Sequence, residues 1–181
     1  MSTPDKSVAL RGIEQRDVDL CCGWLNSQEI RQHIRVWLPV SQLKEKAFIE
    51  SILIQQLPPR DIVFIILHQD KPVGMVGVHG IQWDWGCGVL GICIGKQDHR
   101  RQKVGSTAYQ LLMKYVFEET PLRLLEAEVY ATNEGSLRLH KSLGFISVGT
   151  SEPKALIGGE HVPISTFSMT REHWRTNLHH S

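Results

Sequence analysis

The chain has 181 residues, of which 41% are hydrophobic and 22% are charged, and its formal net charge is +1. These values predict one folded globular domain with a hydrophobic core. They do not favour a nucleic-acid-binding protein, and no apolar run approaches the roughly 20 residues of a membrane span. Because residues 1–12 contain no long apolar stretch, no signal peptide is predicted and we expect a cytoplasmic protein.

Four cysteines occur, and no pair of them has the spacing of a zinc finger. We expect free and mostly buried thiols in a reducing compartment, and no bound metal. The cysteines are Cys21, Cys22, Cys87 and Cys93.

The first half of the chain predicts a strand at 8–13, helices at 15–26 and 41–54, and strands at 62–67 and 73–78. Ser41 is the expected N-cap of the second helix, and the "LPPR" segment at 57–60 ends it. Gln69, Asp70 and Pro72 supply the turn chemistry of a hairpin between the two strands.

The second half predicts a strand at 89–95, a helix at 105–117, a strand at 123–130, a helix at 133–143, and strands at 145–150 and 162–170. Gly144 fits the residue that follows the end of the shorter helix. The order of elements favours the α/β (α+β) class, with one mixed sheet covered by helices.

A basic segment precedes the longer helix of this half. Residues 96–103 contain Lys96, Arg100, Arg101 and Lys103, with only Asp98 opposing them. A helix start exposes unpaired N–H groups and a positive dipole end, so it favours an anion. The pattern therefore predicts a site for a small anionic ligand, and a solvated surface loop is the alternative. This patch is the sole argument for a nucleic-acid partner, and we expect none.

Two longer segments, in this order, resemble the GNAT superfamily of acetyl-CoA-dependent N-acetyltransferases. Residues 90–118, "LGICIGKQDHRRQKVGSTAYQLLMKYVFE", resemble its third central strand, pyrophosphate loop and following helix. Residues 125–145, "LEAEVYATNEGSLRLHKSLGF", resemble its next strand and helix, with the pattern N-x-x-S-x-x-x-[Y/H]-x-x-x-G-F. The chain is most similar to the branch of ribosomal-protein N-terminal, spermidine and amino-sugar acetyltransferases. The resemblance implies a mostly antiparallel sheet in one domain at 8–174, between tails at 1–7 and 175–181.

The resemblance implies that the anion is the pyrophosphate of acetyl-CoA, the expected cosubstrate. The family loop reads roughly Q/R-x-x-G-x-G/A, and Lys103 replaces its first glycine. Glycine serves there because a phosphate approaches the backbone closely. Lys103 can still donate its N–H if its backbone avoids positive φ, and its ammonium adds a charge. The implied cofactor residues are Ile92, Cys93 and Ile94, whose backbone would pair with pantetheine, together with Arg100, Arg101, Gln102, Lys103, Val104, Gly105, Ser106, Thr107, Asn133 and Ser136.

Two side chains are candidates for proton transfer. His140 occupies the position where many GNAT members carry a tyrosine that is thought to protonate the leaving thiolate, and histidine titrates near neutral pH. The alternative is a surface or hydrogen-bonded structural histidine. Glu128 lies where some N-terminal acetyltransferases carry a base, which acts directly or through water. The alternative for Glu128 is a solvent-facing strand residue.

The acceptor site is less defined. Trp83 and Trp85 form either a ligand platform or packing over the sheet edge. Arg31 and Trp37 lie in the first helical region, which the resemblance implies shapes the acceptor site.

We expect acetyl transfer to a primary amine of a small molecule or a protein N-terminus, by direct attack in a ternary complex. Neither Cys87 nor Cys93 has the paired motif of a nucleophile. The alternative is a non-catalytic acyl-CoA-binding or regulatory module. Similar proteins are often monomers or homodimers.

Overall fold

The computed structural model describes residues 7–34, 38–95, 102–157 and 159–179. Its helices are α1 (Val18–Asn26), α2 (Gln28–Arg31), α3 (Gln42–Leu53), α4 (Val104–Glu119), α5 (Glu134–Ser142) and α6 (Arg171–His179). Its strands are β1 (Val8–Gly12), β2 (Ile62–His68), β3 (Lys71–Gln82), β4 (Cys87–Ile94), β5 (Leu124–Tyr130), β6 (Ile146–Thr150), β7 (Ala155–Ile157), β8 (Glu160–Val162) and β9 (Ile164–Thr170). No helix in these ranges is both long and apolar enough to cross a membrane.

One seven-stranded sheet organises the fold, in the order β1-β2-β3-β4-β5-β9-β6. Among the described strands of this sheet, only β4 and β5 pair in parallel; the other neighbours are antiparallel. The predicted mixed, mostly antiparallel sheet flanked by helices is therefore confirmed.

Local sequence signals set several helix ends as predicted. The Ser41 hydroxyl caps α3 by accepting a hydrogen bond from Lys44 N at 3.2 Å. The Asn133 side chain caps α5 by accepting from Ser136 N at 3.1 Å. Gly144 follows α5 with φ of 81°, the left-handed conformation that favours glycine.

The sequence did not predict α2, the β7–β8 hairpin or α6. Helix α6 crosses the domain boundary predicted at residue 174. Its sequence, "REHWRTNLH", is largely polar, so it lacks a strong helical hydrophobic pattern. Trp174 nevertheless is 3% exposed and packs against Phe117, with the ring centroids 5.5 Å apart.

The two faces of the sheet carry different helices. Val76 and Val78 of β3 belong to the core cluster that includes α4, whereas Met75 packs with α1 and α3. Since side chains alternate along a strand, His79 lies on the α1–α3 face. Ala127 packs on the α4 side, so Glu128 also lies on the α1–α3 face.

Strands β4 and β5 separate in the middle of the sheet. Their parallel ladder joins Cys87–Val89 to Leu124–Glu126, although β4 continues to Ile94 and β5 to Tyr130. The crevice beyond the carboxyl ends of parallel strands is a common place for ligands.

Candidate functional site

A cleft of about 1200 Å³ occupies the gap between β4 and β5. Residues 90–94 of β4 form one wall, and residues 127–130 of β5 form another. The start of α4 and residues 133–136 before and within α5 complete its lining. The separation of the strands thus brings two predicted motifs, which lie far apart in the sequence, to a single cavity.

The start of α4 faces this cleft through Lys103, Gly105 and Ser106. No side chain in the described part of the chain caps the helix, and its first turn contains no acidic residue. Thr107 N donates to Lys103 O at 2.9 Å, so the N–H groups of the three preceding residues have no acceptor within the helix. Such a helix start suits an anion.

Lys103 adopts a left-handed conformation with φ of 60°. The condition given above for donation by its N–H, a backbone that avoids positive φ, is therefore not met. The turn into α4 needs a conformation that is favourable for glycine and strained for lysine. This requirement is a second physical reason for a glycine at this position of the family loop.

Most of the predicted cofactor residues line the cleft: Ile92, Cys93, Ile94, Lys103, Gly105, Ser106, Asn133 and Ser136. Gln102 is exposed and does not line it, and the side chains of Val104 and Thr107 are buried. Arg100 and Arg101 lie outside the described residues. The structure thus brings the strand, helix-start and α5 parts of the prediction together.

His140 lines the cleft, but its ring is buried, being 1% exposed. The ring centroid lies 5.3 Å from that of Phe167 and 5.1 Å from that of Phe145. Nδ1 lies 2.8 Å from Ser136 O and donates to it, whereas the buried Nε2 has no hydrogen-bond partner among the described residues. Burial lowers the pKa of His140 below its usual 6.5, although the Ser136 carbonyl partly opposes this effect.

Glu128 lines the same cleft and is exposed. It lies on the α1–α3 face of β5, opposite the face on which Ala127 is buried. A carboxylate in this position is accessible to an amine that approaches from the α1–α3 side.

An Asp–His pair that the sequence analysis missed lies at the same face. His79 Nδ1 is 3.2 Å from Asp61 Oδ1, and Gly80 N also donates to that carboxylate at 3.1 Å. A carboxylate at Nδ1 favours the tautomer whose Nε2 is free to accept a proton. A Cβ atom built on Gly91 would lie 3.3 Å from His79 Nε2, so the ring edge lies over β4.

A second cavity of about 770 Å³, the α3 cavity, lies between the sheet and α3. It is lined mainly by apolar side chains, including Phe48, Val63 and Met75. It shares Ile34, His79, Gly91, Ile92 and Cys93 with the cleft. The two cavities therefore meet at β4, beside the His79 ring.

The three predicted acceptor residues that the structure describes do not line either cavity. Trp83 donates from Nε1 to Pro59 O at 2.6 Å and packs against the core, and Trp85 is 68% exposed. Neither tryptophan lines either cavity, and the half-buried Arg31 does not line them either, although Ile30 lines the cleft. Trp37 lies outside the described residues. Within the described ranges, no group of three or more His, Cys, Asp or Glu side chains could hold a metal ion.

Comparisons with known proteins agree with this fold. Residues 7–146 match the family described as "Acetyltransferase (GNAT) domain". The uncharacterized N-acetyltransferase p20 of Bacillus licheniformis is 24% identical over 169 residues, which cover 92% of this chain and 94% of that protein.

Two solved structures share the fold. Spermidine N-acetyltransferase from Vibrio cholerae, in complex with CoA and spermine, has a TM-score of 0.87 and 16% identity and covers 94% of this chain and 99% of its own. RimL, a ribosomal L7/L12 alpha-N-protein acetyltransferase in complex with coenzyme A, has a TM-score of 0.83 and 14% identity. The match covers 94% of this chain and 98% of the RimL chain. The chain belongs to the GNAT family and is an acetyl-CoA-dependent acetyltransferase.

Proposed function

We propose that the protein transfers the acetyl group of acetyl-CoA to a primary amine, by direct attack in a ternary complex. The separation of β4 and β5 next to the start of α4 is the observation that carries this proposal. In this arrangement the amide-rich pantetheine arm of acetyl-CoA can lie between the two strands. The pyrophosphate of the same molecule then reaches the N–H groups at the start of α4.

The shape of the cleft supports a specific placement of acetyl-CoA. Pantetheine would pair with the backbone of Ile92, Cys93 and Ile94, and the pyrophosphate would accept from N–H groups at the start of α4. The Lys103 ammonium would add a charge contact. Asn133 and Ser136, which line the opposite side of the cleft, would contact the cosubstrate near its thioester end.

Attack requires a neutral amine. The amine nitrogen bonds to the thioester carbonyl carbon, the carbon–sulfur bond breaks, and the nitrogen loses a proton. We propose that His79 Nε2 accepts this proton, since Asp61 orients the ring and the ring lies where the two cavities meet. Glu128, the base predicted from the resemblance, is the second candidate.

Paired substitutions separate the two candidate bases. If His79 is the base, His79→Gln should lower kcat by about 10²–10⁴-fold, whereas Glu128→Gln should retain most of the activity. The reverse result would assign the role to Glu128.

His140 has surroundings that oppose proton donation. With its Nδ1–H held by Ser136 O, the neutral ring offers Nε2 only as an acceptor, and burial disfavours the imidazolium. These surroundings favour the alternative left open by the sequence, a structural histidine. We propose that water protonates the thiolate. If His140 is the acid, His140→Ala should lower kcat by about 10²–10⁴-fold while acetyl-CoA affinity changes little.

A thiol-release assay over a panel of amines tests the function. The panel should include peptides with free N-termini and small amines, since RimL acts on a ribosomal protein and the Vibrio cholerae enzyme on spermidine. We expect amine-dependent release of coenzyme A and an acetylated product. Acetyl-CoA binding without release would favour the non-catalytic module, and salt-dependent retention of RNA on filters would favour nucleic-acid binding.

A further inference from the structure

Glu45 is a buried carboxyl group that the proposed chemistry does not use. It lies in the first turns of α3, is 4% exposed and lines the α3 cavity. Its Oε1 is buried and has no hydrogen-bond partner in the described part of the chain. Burial raises the pKa of Glu45, and the positive charge of nearby Lys44 partly opposes this effect.

The described side chains near Glu45 supply no charged partner for its carboxyl group. Lys44 is exposed and makes no ion pair with it, and no other basic side chain in the described ranges does so. Cys21 is close enough for the negative charge of Glu45 to add to burial in raising its pKa to about 12. A thiol held protonated is a weak donor, so it does not replace a charged partner.

An unsatisfied buried carboxyl group is costly, because burial removes the water that would solvate it. A ligand that brings a donor into the α3 cavity would remove this penalty. The pairing would be strong, since a cation and a carboxylate form a charge-assisted hydrogen bond in a site of low polarity.

Glu45 lies where it can contact the end of an acceptor that is remote from the reacting amine. The α3 cavity meets the cleft at Gly91 and Cys93, beside His79, whereas Glu45 does not line the cleft. Gly77 of β3 pairs with Gly91 of β4, and both line this cavity. Because glycine has no side chain, the floor of the cavity at this point is bare backbone. An apolar body can therefore lie on the sheet between the reacting end and the Glu45 end.

We infer that Glu45 binds a second cationic group of the acceptor, and that the acceptor is an amine with an apolar body. This inference rests on the proposed function, because it takes the junction of the two cavities as the place of acetyl transfer. The reacting amine lies beside His79, the apolar body contacts side chains such as Phe48 and Met75, and the second cation pairs with Glu45.

Calorimetric titration of the protein saturated with coenzyme A tests this inference without requiring turnover. The probes are para-xylylenediamine, para-methylbenzylamine and para-(hydroxymethyl)benzylamine, which share one apolar body and one primary amine. The diamine should bind about 10- to 100-fold more tightly than the methyl compound, the range for a charge-assisted hydrogen bond. Glu45→Gln should abolish most of this preference.

Glu50→Gln is the matched control, because Glu50 lies on the same helix but pairs with Lys46 and Gln15 outside the cavity. It should retain the preference for the diamine. Equal binding of the three probes, or an unchanged preference in Glu45→Gln, would overturn the inference. Equally tight binding of the hydroxymethyl compound would overturn the requirement for a cation. Failure of the proposed function would instead appear as diamine binding with no acetyl transfer to any amine.

Discussion

At the scale of single residues, burial of His140 makes stability depend on pH. The unfolded chain binds the proton with the usual pKa of 6.5, whereas the folded protein binds it only at lower pH. The stability associated with the neutral ring is therefore lost as the pH falls from 6.5 toward the lowered pKa, with a slope of up to about 1.4 kcal/mol per pH unit. His140→Phe should lose this slope in urea denaturation.

The exposed His161 on β8 provides the control for the loss of any histidine. His161→Gln, measured over the same pH range as His140→Phe, shows what the loss of an exposed histidine does by itself. If His140→Phe kept the pH dependence of the wild type, the His140 ring would not be neutral in the folded protein over that range.

Lys103 is the second residue whose local conformation leads to a prediction. A left-handed non-glycine residue costs about 1–2 kcal/mol, so Lys103→Gly should raise the free energy of unfolding by about 1 kcal/mol. Lys103→Ala removes the same ammonium but keeps the strain. Both variants should bind acetyl-CoA up to about fivefold more weakly. Equal stability of the two variants would contradict the argument, as would loss of binding in Lys103→Gly.

At the scale of elements, two substitutions at the start of α4 distinguish an effect on packing from an effect on ligand binding. A Cβ atom on Gly105 would lie 3.7 Å from both Ile92 Cδ1 and Leu139 Cδ2, which is ordinary contact. Gly105→Ala should therefore fold and gain about 0.5–1 kcal/mol from helix propensity. Gly105→Val adds branched bulk at the phosphate site and should weaken acetyl-CoA binding at least about tenfold, the affinity change for 1.4 kcal/mol.

Thermal denaturation checks that both Gly105 variants are folded, and calorimetry measures their affinities. A folded Gly105→Val variant with unchanged affinity would show that acetyl-CoA does not bind at the start of α4. Gly105→Ala is the matched control, since it differs only in the size of the added side chain.

The β2–β3 hairpin shows why the Asp61–His79 pair was not predicted from the sequence. The turn pairs His68 with Lys71, and an uninterrupted ladder would place Asp61 opposite Val78. A register shift at Ile66 and Leu67 moves the pairing by one residue, so that Ile62 pairs with Val78 and Asp61 comes opposite His79. Such a shift changes which side chains meet, and it depends on packing rather than on the turn residues.

At the scale of the whole molecule, the two cavities lie side by side on one sheet and share residues of β4. Acetyl-CoA in the cleft and an acceptor in the α3 cavity can therefore be present together. We predict sequential kinetics, with double-reciprocal lines that intersect, and no acetylated protein after incubation with acetyl-CoA alone. Parallel lines together with an acetylated cysteine by mass spectrometry would contradict direct attack.

The sequence by itself determined the class of the fold and predicted a place for the cosubstrate. Periodicity and turn residues predicted most of the elements, and Ser41, Asn133 and Gly144 marked helix ends, because these signals act over a few neighbouring residues. The basic segment before α4 indicated an anion site for the same reason. Helix α6 was missed because its segment is largely polar and shows no regular pattern of apolar residues, although Trp174 packs into the core.

The tertiary structure alone decided which polar side chains are buried and which groups they meet. His140 and Glu45 both lie on helices. The His140 ring packs among aromatic side chains, whereas Glu45 is buried at a cavity and its Oε1 has no hydrogen-bond partner among the described residues. Burial, strand register and the separation of β4 from β5 arise from contacts between segments that are distant in sequence. The short-range patterns of a single sequence do not predict these features, because burial, register and strand separation depend on how the elements pack.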